Sequence, residues 1–127
     1  MSMSNFLENK LLDHTLKNTA YTPAVTIYLA LFTSDPGEAL TGTEVSGGAY
    51  ARKSITFGTA VSGSSTNSAD VLFDIATANW GTISHVAVFD ALTAGNMLYY
   101  GTLTTAKTIN TTDQLKIAAG DLSITLD

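Results

Sequence analysis

Residues 83–91 read ISHVAVFDA, residues 92–96 read LTAGN, and residues 97–104 read MLYYGTLT. Ile83, His85, Ala87 and Phe89 form one alternating set, and Ser84, Val86, Val88 and Asp90 form the other. A period of two predicts a strand, here with apolar residues on both faces. Thr93-Ala94-Gly95-Asn96 carries turn residues, so Met97–Thr104 is expected to return antiparallel to the first strand. On the returning strand Tyr99 and Tyr100 must point to opposite faces, so one of them lies on a second surface.

Working outward, Val25–Thr33 (VTIYLALFT) is apolar on both faces and is expected to be a central strand. Asp35-Pro36-Gly37 forms a turn, and residues 38–49 a loop. Further strands are predicted over residues 50–57, 71–75, 107–109, 115–118 and 122–126, the last with Leu122, Ile124 and Leu126 inward. The Gly/Ser/Thr-rich segment 58–70 is expected to be the most mobile. Trp80, the single tryptophan, falls in the connection 76–82. It either seals one end of the strand assembly or anchors a sugar or partner.

Residues 4–18 read as the one helix, with Asn5 and Glu8 spaced as a capping box. Leu7, Leu11, Leu12 and Leu16 form a single apolar stripe that must dock, on its own domain or on a partner subunit. The pattern predicts a mainly β protein: an antiparallel, jelly-roll-like β-sandwich of about eight strands with one N-terminal α-helix. Residues 1–20 form the docking helix and 21–127 the sandwich, one domain overall. The residues expected to dock are Phe6, Leu7, Leu11, Leu12 and Leu16, with Trp80, Tyr99 and Tyr100.

Composition narrows the function. The chain has 127 residues, no cysteine, six Lys plus Arg and eleven Asp plus Glu, for a net charge of −5. Six scattered cations do not make a duplex-binding surface, so no nucleic-acid partner is expected. No apolar run is long enough to span a membrane as a helix. Charged residues are 13% of the chain, against about 25% in ordinary domains. With a mean hydropathy of +0.19, such a surface is expected to be partly covered by neighbours.

Candidate chemistry is sparse. Neither His14 nor His85 has another ligand-type residue at metal spacing, so no metal or cofactor site is expected. The aspartates at 35, 70, 74, 90, 113, 121 and 127 fall mostly at turns and strand ends, where Asp caps backbone N–H groups. No nucleophile elbow, phosphate loop or dinucleotide fingerprint occurs, and no catalytic residue is assigned.

Five stretches carry a family likeness: FLENKLLDH (6–14), YLALFTSDP (28–36), EVSGGAYAR (44–52), ANWGTISHVAVFDA (78–91) and AGDLSITLD (119–127). Across nearly the whole chain it resembles small tailed-bacteriophage proteins usually labelled tail fibre protein. The resemblance implies a non-enzymatic virion structural protein, made in the host cytoplasm. A tail fibre normally has a long trimeric shaft, and this sequence has no repeat that encodes one. Size and charge deficit therefore favour a decoration or cement subunit on the outer capsid, with a tail-fibre role as the alternative. The expected partners are further copies of itself, a trimer above all, and the major capsid protein or other virion proteins. A receptor or host-surface glycan reader, using Trp80, Tyr99, Tyr100 and the 58–70 segment, is the second hypothesis, and a small hydrolase the third.

Overall fold

The computed structural model describes residues 1–126. A two-residue strand, β1 (Ser2–Met3), leads into the helix α1 (Asn5–Leu16). Eight strands follow: β2 (Ile27–Phe32), β3 (Lys53–Ile55), β4 (Ser64–Thr66), β5 (Val71–Leu72), β6 (Gly81–Phe89), β7 (Met97–Ile109), β8 (Lys116–Ile117) and β9 (Ser123–Thr125). The main sheet has the order β1-β7-β6-β2-β3 and is antiparallel throughout. Two short antiparallel ladders, β4 with β9 and β5 with β8, complete a mainly β, sandwich-like fold.

The central strand β2 is apolar on both faces because both are covered. Leu29 and Leu31 pair with Val88 and Val86, and these side chains join Ile55, Val71, Ile117 and Leu122 in the larger core. That core lies between the main sheet and the two ladders. Ala30, Phe32, Ala87, Phe89 and Met97 form a second cluster, in which the Phe32 and Phe89 rings stack 6.2 Å apart. The hairpin joining β6 to β7 closes as expected, with Ala94 and Gly95 both at positive φ. Asp90 holds the turn by accepting from the Asn96 N–H at 2.7 Å and from its side-chain amide at 3.0 Å.

Strict alternation fails at two places, both β-bulges. Ile83 pairs with Lys107 but His85 pairs with Thr102, so two steps along β6 match five along β7. Ile83 joins Val86 and Val88 in the larger core instead of following His85, and Leu103, among the extra β7 residues, packs against it. The strands expected at 97–104 and 107–109 are thereby one irregular strand. A second bulge makes Leu98 the extra residue between the pairs Val88–Tyr99 and Phe89–Met97. Beyond it Tyr99 packs against the larger core and Tyr100 against the second cluster.

Two further expectations are corrected. The 58–70 segment is not an open loop: β4 pairs along β9, and Asn67 is buried. The Asn67 side chain donates to the carbonyls of Ala69 (3.0 Å) and Ala118 (2.9 Å) and accepts from the Leu122 N–H (2.9 Å). Trp80 is buried rather than presented for docking. Its Nε1–H donates to the Gly48 carbonyl at 2.8 Å, and its ring meets Tyr50 edge-on at 5.5 Å. Gly48 has φ +59, and a Cβ there would lie 2.9 Å from the indole nitrogen, so glycine permits this approach.

Candidate interaction surface

The helix is seated mainly by its first turn, with Leu11 half-buried one turn further on. Ser4, not Asn5, is the N-cap: its Oγ accepts from the Leu7 N–H at 3.2 Å and donates to the Met97 carbonyl. The cap therefore sits one residue before the expected one, because Ser4 can bond helix and sheet together. Glu8 remains in the first turn, where its charge suits the helix dipole. The Ser4 N–H donates to Leu98 O at 2.9 Å and the Asn5 N–H to Glu38 O at 3.1 Å. Both β1 and α1 lie on β7.

The leucine stripe divides along the helix. Leu7 is buried and Leu11 half-buried, whereas Leu12 is 55% and Leu16 77% exposed. Phe6 is half-buried, with the Lys10 ammonium 5.7 Å from its ring centroid. Met3, Glu8, Leu11, Leu12 and Thr15 line a shallow hollow of about 350 Å³. Of the eight residues expected to dock, Leu7 and Trp80 are spent inside the fold, and Phe6, Leu11, Tyr99 and Tyr100 are half-covered. Leu12 and Leu16 stand fully on the surface.

The other open feature is the outer edge of β7. β1 pairs with Tyr99 and Tyr100 only, so among the described residues no strand lies beside Thr102–Thr108 on that side. An open strand edge invites a partner strand. A hollow of about 420 Å³ opens there, lined in part by Asp35, His85, Tyr100, Thr102, Asp121 and Ser123. Burial first, then the charges of Glu38 and Asp35, pushes the Tyr100 phenol above its ordinary value.

The geometry of the polar side chains is that of turn-holding groups. Asp35, Asp90, Asp113, Asp121 and Asp70 each accept from a backbone N–H, those of Gly37, Asn96, Asn110, Ala118 and Ala119. The Ala119 N–H, then the Lys116 charge, holds the Asp70 carboxyl below its usual value. His14 Nδ1 accepts from the Tyr21 N–H at 3.3 Å. His85 Nδ1 lies 2.8 Å from Ser84 Oγ, but its Nε2 is 4.0 Å from Asp35, beyond hydrogen-bond reach. That trio lacks the oriented base of a nucleophilic site. No cluster of three or more metal-ligating side chains occurs among the described residues.

Replacing both Leu12 and Leu16 by Asp is expected to cost the isolated domain no more than about 1–2 kcal/mol, the sum of lower helix propensity and of anions near the helix C-terminus, since both side chains are largely exposed. Any self-association that the stripe supports should be lost in the same variant. Thermal unfolding read beside sedimentation velocity checks both halves; a large fall in melting temperature would mean the stripe packs in its own domain.

A comparison with curated proteins gives no match. The family model described as "Podophage GP4 fiber I protein gp80" matches residues 2–125, nearly the whole chain. On that match this mainly β chain belongs to a family of phage fibre proteins, structural components of the virion.

Proposed function

We propose that the chain is a non-enzymatic subunit of the virion's fibre apparatus, held on a neighbouring subunit by the leucine face of α1. The observation that carries this reading is the exposure of Leu12 and Leu16 on a helix whose cover ends at Leu11. Burying each leucine contributes about 1.5–3 kcal/mol, which is too little for a stable complex once association entropy is charged against it. Further surface must join, and repeated contacts in a symmetric assembly supply it. The protein also exposes 7059 Å², against about 6,500 Å² for a monomer of its mass. Its 17 charges are spread over that area at roughly half the usual density.

Self-association, as a trimer in a three-fold fibre, and contact with other virion proteins are the partnerships this supports. The second reading is a cement subunit on the outer capsid, favoured by the same low charge and compact size. Near-atomic cryo-EM of the virion, with antibody labelling, tests both. Density fitting this fold on the fibres is the expected result, density across the head lattice would replace it with the cement reading, and absence from purified virions would overturn both.

A further inference from the structure

We propose that the N-terminal arm, Met1–Leu16, is exchanged between copies of this chain, so that β1 and α1 of one copy lie on β7 of the next. The partner is thus a second copy. The reason is that the fit is already on display: the surface that receives the arm is complementary to β1 and the first turn of α1. Ser4 is bonded to Met97 and Leu98, β1 is paired with Tyr99 and Tyr100, and Leu7 is buried. An arm from another copy makes the same contacts, so exchange costs little beyond association and the hinge.

The hinge is visible. Between α1 and β2, residues 17–26 hold no helix or strand, and all but Tyr21 and Ala24 are exposed. Ten residues span up to about 33 Å, enough to cross to a neighbour. The chain folds back at Asn18, whose φ is +54, with the Thr19 N–H donating to Asp13 O at 3.1 Å. Turning Asn18 to the right-handed region lets the helix run on as far as Tyr21, because Thr22 precedes Pro23 and is held extended. The straightened arm then points away from its own β7. Exchange also juxtaposes two copies along one helix, where the bare Leu12 and Leu16 of each find cover.

This deepens the assembly reading above, but it fails separately. A chain located in virions with its arm on its own β7 would sink exchange and leave the fibre role standing.

The native sequence has no cysteine, so introduced thiols report unambiguously. Ser2 and Tyr100 are register partners, at a spacing that suits a disulfide. Chains carrying only Ser2→Cys are co-expressed with chains carrying only Tyr100→Cys and oxidised. A disulfide-linked pair of twice the chain mass is expected, while Ser2→Cys with Lys116→Cys, a site on β8, should stay unlinked. A chain carrying both Ser2→Cys and Tyr100→Cys should give covalent oligomers; if it yields only internally closed single chains, and the separate variants never link, the proposal is overturned. Met3→Cys with Tyr99→Cys repeats the test should Tyr100→Cys not fold. Asn18→Ala, which disfavours the left-handed bend, should raise the oligomer-to-monomer ratio roughly tenfold over Asn18→Gly. Equal ratios, or the reverse order, would count against the hinge.

Discussion

Arg52→Ala should lower the melting temperature by about 12–20 °C, corresponding to a loss of about 3–5 kcal/mol at about 4 °C per kcal/mol for a domain of this size. The side chain is 7% exposed and spends four of its five N–H donors inside the protein. Nε and Nη2 grip the two carboxylate oxygens of Glu44, each at 2.8 Å, and Nη1 donates to the carbonyls of Ala91 (2.9 Å) and Ala94 (2.8 Å). The guanidinium carbon also lies 3.7 Å from the Phe89 ring centroid. One residue therefore ties the loop before β3 to the β6–β7 hairpin and covers the second core cluster. The network continues through Tyr50, which donates to Glu44 at 2.7 Å and accepts from the Leu31 N–H at 3.0 Å. Burial, opposed by the Leu31 N–H and reinforced by Glu44, keeps the Tyr50 phenol well above its ordinary range, so it stays a donor.

Truncation would leave Glu44 without its cation, strand two carbonyls and open a gap beside Phe89. Arg52→Lys should recover part of the loss, because a point charge cannot bond both carboxylate oxygens and both carbonyls at once. The double variant Arg52→Met with Glu44→Gln should lose less than the sum of its singles, since no buried charge is then left alone. Calorimetric unfolding at two salt concentrations gives the comparison. A fall below about 1 kcal/mol that shrinks with salt would make the pair an ordinary surface bridge.

How much of this was legible beforehand depends on what kind of signal each part carries. The helix, the hairpin at Thr93–Asn96 and the doubly covered strand at Val25–Thr33 announce themselves through periodicity and turn chemistry, and the structure has all three. The irregularity opposite Ser84 does not, because an odd number of extra residues, here three, leaves the local composition unchanged while reversing the parity of everything beyond it. Parity alone therefore groups Ile83 with His85, although Ile83 belongs to the larger core. Arg52 and Asn67 were invisible for another reason: their partners lie up to 42 and 55 residues away, and a polar residue in a polar stretch reads as solvent-facing. Trp80 shows the converse, since a loop tryptophan reads equally as a lid or an anchor until Gly48 is seen to receive its N–H. At the interaction surface the leucine spacing identified the stripe. The point where cover stops, between Leu11 and Leu12, follows from how the first turn meets β7.

Asn67→Asp should destabilise the protein by about 3 kcal/mol at neutral pH, and the loss should fade on acidification. The substitution keeps shape and volume and changes only what the side chain offers. The amide gives two N–H donors to Ala69 and Ala118 and one oxygen to the Leu122 N–H, in a site that is 2% exposed. A carboxylate retains the bond from Leu122 but turns a negative oxygen toward two carbonyl oxygens and leaves both without a donor. Burial and that repulsion raise the introduced group's folded pKa above the unfolded value near 3.9. The sign follows: an acid with a raised folded pKa favours the unfolded state as pH rises past the unfolded value. About half of that penalty, roughly 1.5 kcal/mol, depends on pH and corresponds to a shift of about one unit, so the loss should build between roughly pH 4 and pH 5 and stay level above. Below pH 4 the neutral acid donates to one carbonyl, and about half the penalty should remain. Asn67→Ala, which removes both roles, should cost about 2–3 kcal/mol with the same pH dependence as the native chain. Urea unfolding of the three proteins from pH 3.5 to 7.5 separates these outcomes. If the Asp and Ala variants ran parallel across that range, the amide's donors would not be what pins β4 to the 118–122 turn.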